Sequence, residues 1–165
     1  MKIAEGRKRQ GAPDVQKQKP VRASGIPMER VFTSEHFAPG TVFGGLCVFV
    51  NCVFGDRCVF DRSCSFVGVC YFGDNNDFRA RCRFDSDNQF GKNCQFEKGC
   101  KFGNLSRFDV GGRFAEECSF GDYCSFDDGC FFMIGHSFGK ECTWGEHCSA
   151  QDNRSKWFEI TPNRE

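Results

Sequence analysis

Phenylalanine returns every sixth residue from Phe54 to Phe138, and Trp144 takes the next place. A second series runs four residues behind each ring. It is mostly cysteine (Cys58, Cys64, Cys70 and so on to Cys148), with Asn76, Asn88, Ser106, Gly112 and His136 at the exceptions. A unit this short buries its apolar residue only by stacking on its neighbours, so a fixed short period specifies a solenoid. The same regularity leaves no obvious place for a catalytic loop.

Six is an even number, so strand alternation keeps the ring and the small residue two places before it on the same side of the chain. With Phe inward, the preceding Cys is inward too and the residues between them face out. The residue after the ring is Gly, Asp, Glu or Ala in 13 of the 16 units from Phe54 onward, a composition that suits a corner after a short strand. Each unit is therefore a strand of two or three residues plus a turn.

Units such as Phe54-Gly55-Asp56-Arg57-Cys58-Val59 and Phe120-Gly121-Asp122-Tyr123-Cys124-Ser125 resemble the hexapeptide repeat of left-handed parallel β-helices. The resemblance covers about residues 37–149. It implies an all-β triangular solenoid with three units per coil, and it supplies the left hand, which the general crossover rule does not favour. Phe in place of the usual aliphatics is a departure, offset by the small Cys at the partner position. Phe37, Phe43 and Phe49 extend the series upstream, with a five-residue slip between Phe49 and Phe54 near Cys52. Period five does not hold throughout, which excludes a pentapeptide-repeat fold. Nineteen units predict about six coils, a prism roughly 30 Å tall.

This divides the chain into an arm (1–36), a β-helix (37–150) and a tail (151–165). The arm carries Lys2, Arg7, Lys8, Arg9, Lys17, Lys19, Arg22 and Arg30 against four acids. The repeats carry eleven bases against fifteen acids. A basic polar arm ahead of an acidic prism reads as disordered alone and suited to docking on a partner or on another subunit. It lacks the interleaved aromatics and folded basic face of a nucleic-acid binder, so nucleic acid is not the expected partner. The first ten residues are charged, with no apolar run, so a secretory signal is not expected. No stretch has membrane-span length.

Twelve of the thirteen cysteines fall at the small inward position, which favours free thiols acting as small core hydrophobes. Stacked neighbours such as Cys64 and Cys82 come within disulfide reach, but parallel stacking aims their Cβ atoms the same way. Five residues separate successive cysteines, unlike zinc pairs, and no metal or cofactor is expected.

Many proteins that resemble this repeat are acyltransferases using a histidine and a CoA-type donor between subunits. Here His136 occupies an inward place, His147 a corner, and His36 precedes the first unit. None sits on an excursion loop. The expected reading is a non-enzymatic structural protein, with an acyltransferase as the alternative. Val42, Val48, Val50, Val53, Val59, Val67, Val69 and Tyr71 crowd the first coils at outward or corner positions, and Phe131, Met133 and Ile134 form a second patch. Exposed apolar area marks an interface. Proteins that resemble this repeat commonly form trimers, so these residues are the expected contacts of a homotrimer, unless the arm folds back over the valines. The tail, with Trp157, Phe158 and Ile160, reads as a cap on the open end or as a plug for a neighbouring subunit. Phe/Cys-rich hexapeptide chains of this kind look similar to small virion proteins of tailed bacteriophages. That similarity implies a trimeric decoration or cement protein, located in the virion after assembly in the host cytoplasm, whose arm clamps the major capsid protein or another virion protein.

Overall fold

A computed structural model describes residues 30–151 and 157–161. It is all-β: a parallel β-helix in which twenty-one short strands fall into three parallel sheets, called A, B and C here in chain order. Sheet A begins with Val31–Thr33 and takes every third strand, ending with Ser137–Phe138. Sheet B runs from His36–Phe37 to Thr143–Trp144, and sheet C from Val42–Phe43 to Ser149–Gln151. Three strands close one triangular coil, so there are seven coils, about 34 Å of height at the usual strand spacing.

The count exceeds the expected six because the series has a further member at each end. Phe32, ahead of Phe37, heads a strand inside the segment read as arm, and Ala150 holds an inward place in the last coil. The five-residue unit is not a single slip either. It occurs at Phe32–Phe37 and again at Phe49–Phe54, directly above. Strand partners there (Val31 with Val48, Val48 with Ser65) are one position closer in sequence than partners higher up (Ser65 with Arg83). Both short units lie on the edge between sheets A and B.

In-register pairing places each ring above the ring of the coil below. Phe78 and Phe96 stack 4.8 Å apart with planes 5° from parallel, while Phe78 meets Phe84 of the next face at 5.1 Å and 81°. Every interior ring therefore has stacked partners along its sheet and edge-to-face partners across the triangle, the two arrangements that the aromatic quadrupole favours. This is why Phe replaces aliphatics throughout. Three columns of rings fill the axis, and the small residues line the corners between them. All thirteen cysteines are buried there, Cys52 included, and none is joined in a disulfide.

Each corner is turned by one residue in the left-handed region, for example Arg57, Asn75, Asn93 and Gly111. At most corners its N–H donates to a carbonyl of the coil above, as Asn75 does to Lys92; at Gly68 it donates to the Asp85 carboxylate. Side chains reinforce the edges: Asp56 Oδ1 accepts from the Asp74 N–H (2.9 Å), and Asp74 Oδ1 from the Lys92 N–H (2.8 Å). At Gly103, a Cβ would lie 2.7 Å from the carbonyl carbon of Asp85, so the position after the ring has no room for a side chain there.

At the C-terminal end, Trp157–Glu159 pairs antiparallel with Ser149–Gln151 and extends sheet C. Ile160 donates to the Cys148 carbonyl (2.7 Å) and packs on the core.

Candidate interaction surfaces

Outward residues arise from the period. The residue before each ring faces solvent from a sheet, and the two or three after it form an edge. Sheet C reads Val42, Val59, Asp77, Gln95, Arg113, Phe131 and Ser149 from coil to coil. Neighbours on a face are thus a whole coil apart in sequence, and a run contiguous in sequence winds around the prism.

This sorts the valines. Val48, Val50, Val53, Val67, Val69 and Tyr71 gather on one strip: Val48 on sheet A, Val50 above Thr33 and below Val67 at the A/B edge, Val69 on the same corner, and Val53 beneath Tyr71 on sheet B. Val59 does not join them. It stands on sheet C above Val42, a different face of the same coils. The sequence reading missed Val31, which lies below Val48 and extends the strip downward. Aligning the chain coil upon coil would have found it. The lowest coil carries the two most exposed aliphatic residues among those described, Val42 (72%) and Val31 (60%).

The two short units underlie the lower part of the strip. In the first three coils the sheet A strands run to three residues, and the corner after them is turned by Ser34, Asn51 or Gly68, with Glu35 of the first coil the one charged side chain on that edge. From the fourth coil upward the same edge carries Asp85, Asp87, Asp122 and Glu141.

Phe131, Met133 and Ile134 lie on sheet C and its following edge, in the sixth coil. Phe131 and Met133 form the upper wall of a shallow groove of about 500 Å³ that continues down past Ala115 to Arg79 and Glu97. The Arg113 guanidinium stands 5.9 Å from the Phe131 ring centre, within the range of cation–π attraction. Arg79 pairs with Glu97 at 2.6 Å and with Asp77 at 3.5 Å, so the groove's lower half is ionic.

Lys2, Arg7, Lys8, Arg9, Lys17, Lys19 and Arg22 lie outside the described residues. Charge on the prism is unevenly placed. The edge between sheets C and A balances four acids with four bases, and ion pairs such as Lys98–Glu117 (3.0 Å) cross it. The edge between B and C holds six acids, among them Asp56, Asp74 and Asp109, against Arg57 and Lys92. The surplus of acid therefore runs along the two edges that flank sheet B.

The structure does not bring the histidines together. His36 is in the first coil, while His136 and His147 are at the upper end, on different edges. His147 is exposed, with Nδ1 3.5 Å from Glu159. His136 continues the column Cys47, Cys64, Cys82, Cys100 and Cys118. Its Nδ1 lies 3.3 Å from the Cys118 carbonyl, and its Nε2 is buried without a hydrogen-bond partner among the described residues. Burial outweighs the nearby backbone hydrogen bonds and Glu116, and moves its pKa below the ordinary 6.5.

The thiols are held in a similar way. Sγ donates to a carbonyl of the coil below, from Cys124 to Gly103 (3.4 Å) and from Cys148 to Asp127 (3.3 Å). Burial pushes the Cys70 thiol up to about 11 and that of Cys94 to about 12, which keeps both protonated and unreactive. Asn76 and Asn88 occupy cysteine places with both ends of their amides used. Asn76 Oδ1 accepts from Cys58 N–H (2.7 Å) and its Nδ2 donates to the Gly73 carbonyl (2.7 Å).

Among the described residues no helix is long and apolar enough to cross a membrane, and no cluster of three or more His, Cys, Asp or Glu is arranged to hold a metal ion. Comparison with protein-family models, with curated proteins and with solved structures gave no match.

Proposed function

We propose that the chain is a non-enzymatic structural protein, a rigid β-helix that assembles as a homotrimer and decorates or cements a bacteriophage capsid through its basic N-terminal segment. The observation that carries the structural reading is the apolar strip at the A/B edge of the first three coils. It lies on an edge that turns acidic in the fourth coil, and its lower two coils carry the two five-residue units. Contiguous apolar area of this kind favours burial against a partner, and closed symmetry suits prisms packed side to side. The ring-filled axis supports a mechanical role, because an interior packed this densely resists deformation. The virion location rests on the sequence resemblance alone.

The competing reading, an acyltransferase with a CoA-type donor, needs a histidine within hydrogen-bond reach of a bound nucleophile. His136 faces the column of thiols, and His147 projects from a corner beside Glu159.

Light scattering on the full-length chain should give about three times 18.7 kDa. Val50→Asp combined with Val67→Asp should lower it, because an unpaired charge in an interface is costly. A wild-type monomer at micromolar concentration refutes the trimer. Co-sedimentation with capsids, beside a thermal melt in millimolar acetyl-CoA, separates the two classes. Capsid binding without a shift supports the structural protein, whereas an upward shift without capsid binding supports the enzyme, since a ligand bound only to the native state raises the melting temperature.

A further inference from the structure

The three corner columns differ in how far cysteine runs unbroken. Between sheets C and A, Cys47, Cys64, Cys82, Cys100 and Cys118 follow one another from coil to coil. Between B and C, Asn76 separates Cys58 from Cys94, and Gly112 separates Cys94 from Cys130. Between A and B, Asn88 and Ser106 interrupt the series. The thiols of the unbroken column share one orientation. Sγ of Cys64 donates to the carbonyl of Gly44 (3.4 Å), Cys82 to Asp61 (3.6 Å), Cys100 to Arg79 (3.7 Å) and Cys118 to Glu97 (3.6 Å). In each case the acceptor is the residue after the sheet C ring of the coil below. Cys64 is also within hydrogen-bond reach of the thiols of Cys47 and Cys82, and Cys100 of those of Cys118 and Cys82.

This geometry suits a bridging ion better than a disulfide. Successive sulfurs are one coil apart, and the sheet A rings beside the column stack at 4.7 Å (Phe66 on Phe84) and 4.8 Å (Phe84 on Phe102). A disulfide needs its sulfurs about 2 Å apart and its Cβ atoms twisted by roughly 90°, which parallel side chains do not offer. A thiolate holds a closed-shell ion at about 2.3 Å, so two sulfurs with one ion in line between them stand about 4.6 Å apart. Side chains that point across the column in parallel then meet the ion near a right angle at each sulfur. Among the described residues no three donors converge, so the column offers two ligands to an ion and not the four of structural zinc. With zinc set aside by ligand number, soft thiolates favour copper(I).

We propose that Cys82, with its stacked neighbour Cys64 or Cys100, binds a soft monovalent ion of the copper(I) class in line between two thiolates. Two thiols release their protons, two sulfur–metal bonds form and no electron is transferred. The ion takes the place of the protons now shared with the carbonyls, and the complex carries a single negative charge. The edge over this column is suited to offset that charge. Arg62 and Arg81 stand on it, and neither is in an ion pair among the described residues. A nearby cation favours the charged form of a buried group. The stacked pairs elsewhere are placed less well. Cys124 and Cys142 lie at the edge that carries Asp122 and Glu141, and Cys130 and Cys148 at the edge that carries Asp127, Asp128 and Glu146. The ion lies within one chain, so the inference stands whether or not the chain forms trimers.

Oxygen-free titration of the reduced, full-length protein with copper(I), supplied as its coloured bicinchoninate complex and read by loss of colour, tests it. The wild type should take up copper. Cys64→Ser combined with Cys100→Ser leaves no two adjacent thiols in the column, and should bind at least one copper fewer per chain. Cys58→Ser combined with Cys94→Ser removes as many thiols from places without a thiol neighbour, and should match the wild type. The fold accepts serine in such a place: Ser106 is buried and donates to the Gly103 carbonyl (3.1 Å). X-ray absorption at the copper edge needs no variant, and on the loaded wild type it should show two sulfur ligands. No uptake by the wild type, the same uptake by the two double variants, or copper held by three or four ligands overturns the inference.

Discussion

The first three coils and the four above them share an interior and differ outside. Inside, Phe60 in the second coil and Phe96 in the fourth are equally enclosed, each stacked above and below and met edge-on from the other faces. Outside, the lower edge between sheets A and B carries Val50, on a shortened corner, with Val67 and Val69 above it, and the upper carries Asp85, Asp87, Asp122 and Glu141. In a solenoid the inward positions fix the fold and the outward ones are free to vary, so a departure on the outside that keeps the inside intact points to contact with something else.

The comparison breaks first if the interiors are not equivalent. Phe60→Ala and Phe96→Ala should each destabilise by about 3–5 kcal/mol through the cavity left behind. A chemical-denaturation series giving a loss below about 1 kcal/mol at either site would mean that its ring is not core. Next come the buried amides. Asn76→Ala, in the third coil, orphans the Cys58 N–H, and Asn88→Ala, in the fourth, orphans that of Cys70. Each should cost about 1–3 kcal/mol, again alike in the two regions.

A smaller effect belongs to the upper end alone. Because burial lowers the His136 pKa, the unfolded chain takes up a proton more readily than the folded one. Stability from this group is full above about pH 6.5 and declines as pH falls below that value. His136→Cys, which continues the thiol column, should remove this part of the acid sensitivity. The titration is read as the difference between the two proteins' stabilities from pH 8 to 5, with His36 and His147 common to both.

The smallest effect separates the regions most sharply. Leu46 in the first coil and Leu105 in the fifth have almost the same backbone (φ 61° and 60°) and exposure (44% and 46%). Replacing a leucine held in the left-handed region by glycine relieves up to about 1 kcal/mol. Leu105→Gly should therefore raise the melting temperature. Leu46→Gly should gain less, or lose, if the lower coils are covered and the leucine makes contacts there. Equal gains would argue that the C/A edge of the first coil, where Leu46 stands, faces water as Leu105 does.

The architecture was legible because it is written at one residue in six. Inward Phe and Cys follow from the even spacing, the corners from the small or acidic residue after each ring, and the three sheets from the resemblance to the hexapeptide repeat. The ends were less legible. Phe32 stands at the shorter spacing from its neighbour, and Ala150 is too small to stand out, so two units and one coil were missed. The surface was the least legible. A run of valines in sequence looks like one patch, yet it winds over three faces, which is why Val59 parts from Val50 and Val67. Assigning a residue to a face depends on the running count modulo three and on both five-residue units, one of which was hidden by the missed ring. The acid surplus flanking sheet B could be assigned only with the same count.

The chain contains two tyrosines, one in each region, which allows a direct test of the claim that the lower coils are an interface. Tyr71 lies in the apolar strip and is 46% exposed in the isolated prism, while Tyr123 sits on an upper corner at 57%. Hydroxyl-radical footprinting of the full-length protein at micromolar concentration compares them in one sample. The account predicts that Tyr123 is oxidised several-fold faster than Tyr71. Rates in the ratio of the two exposures, close to equal, would contradict it.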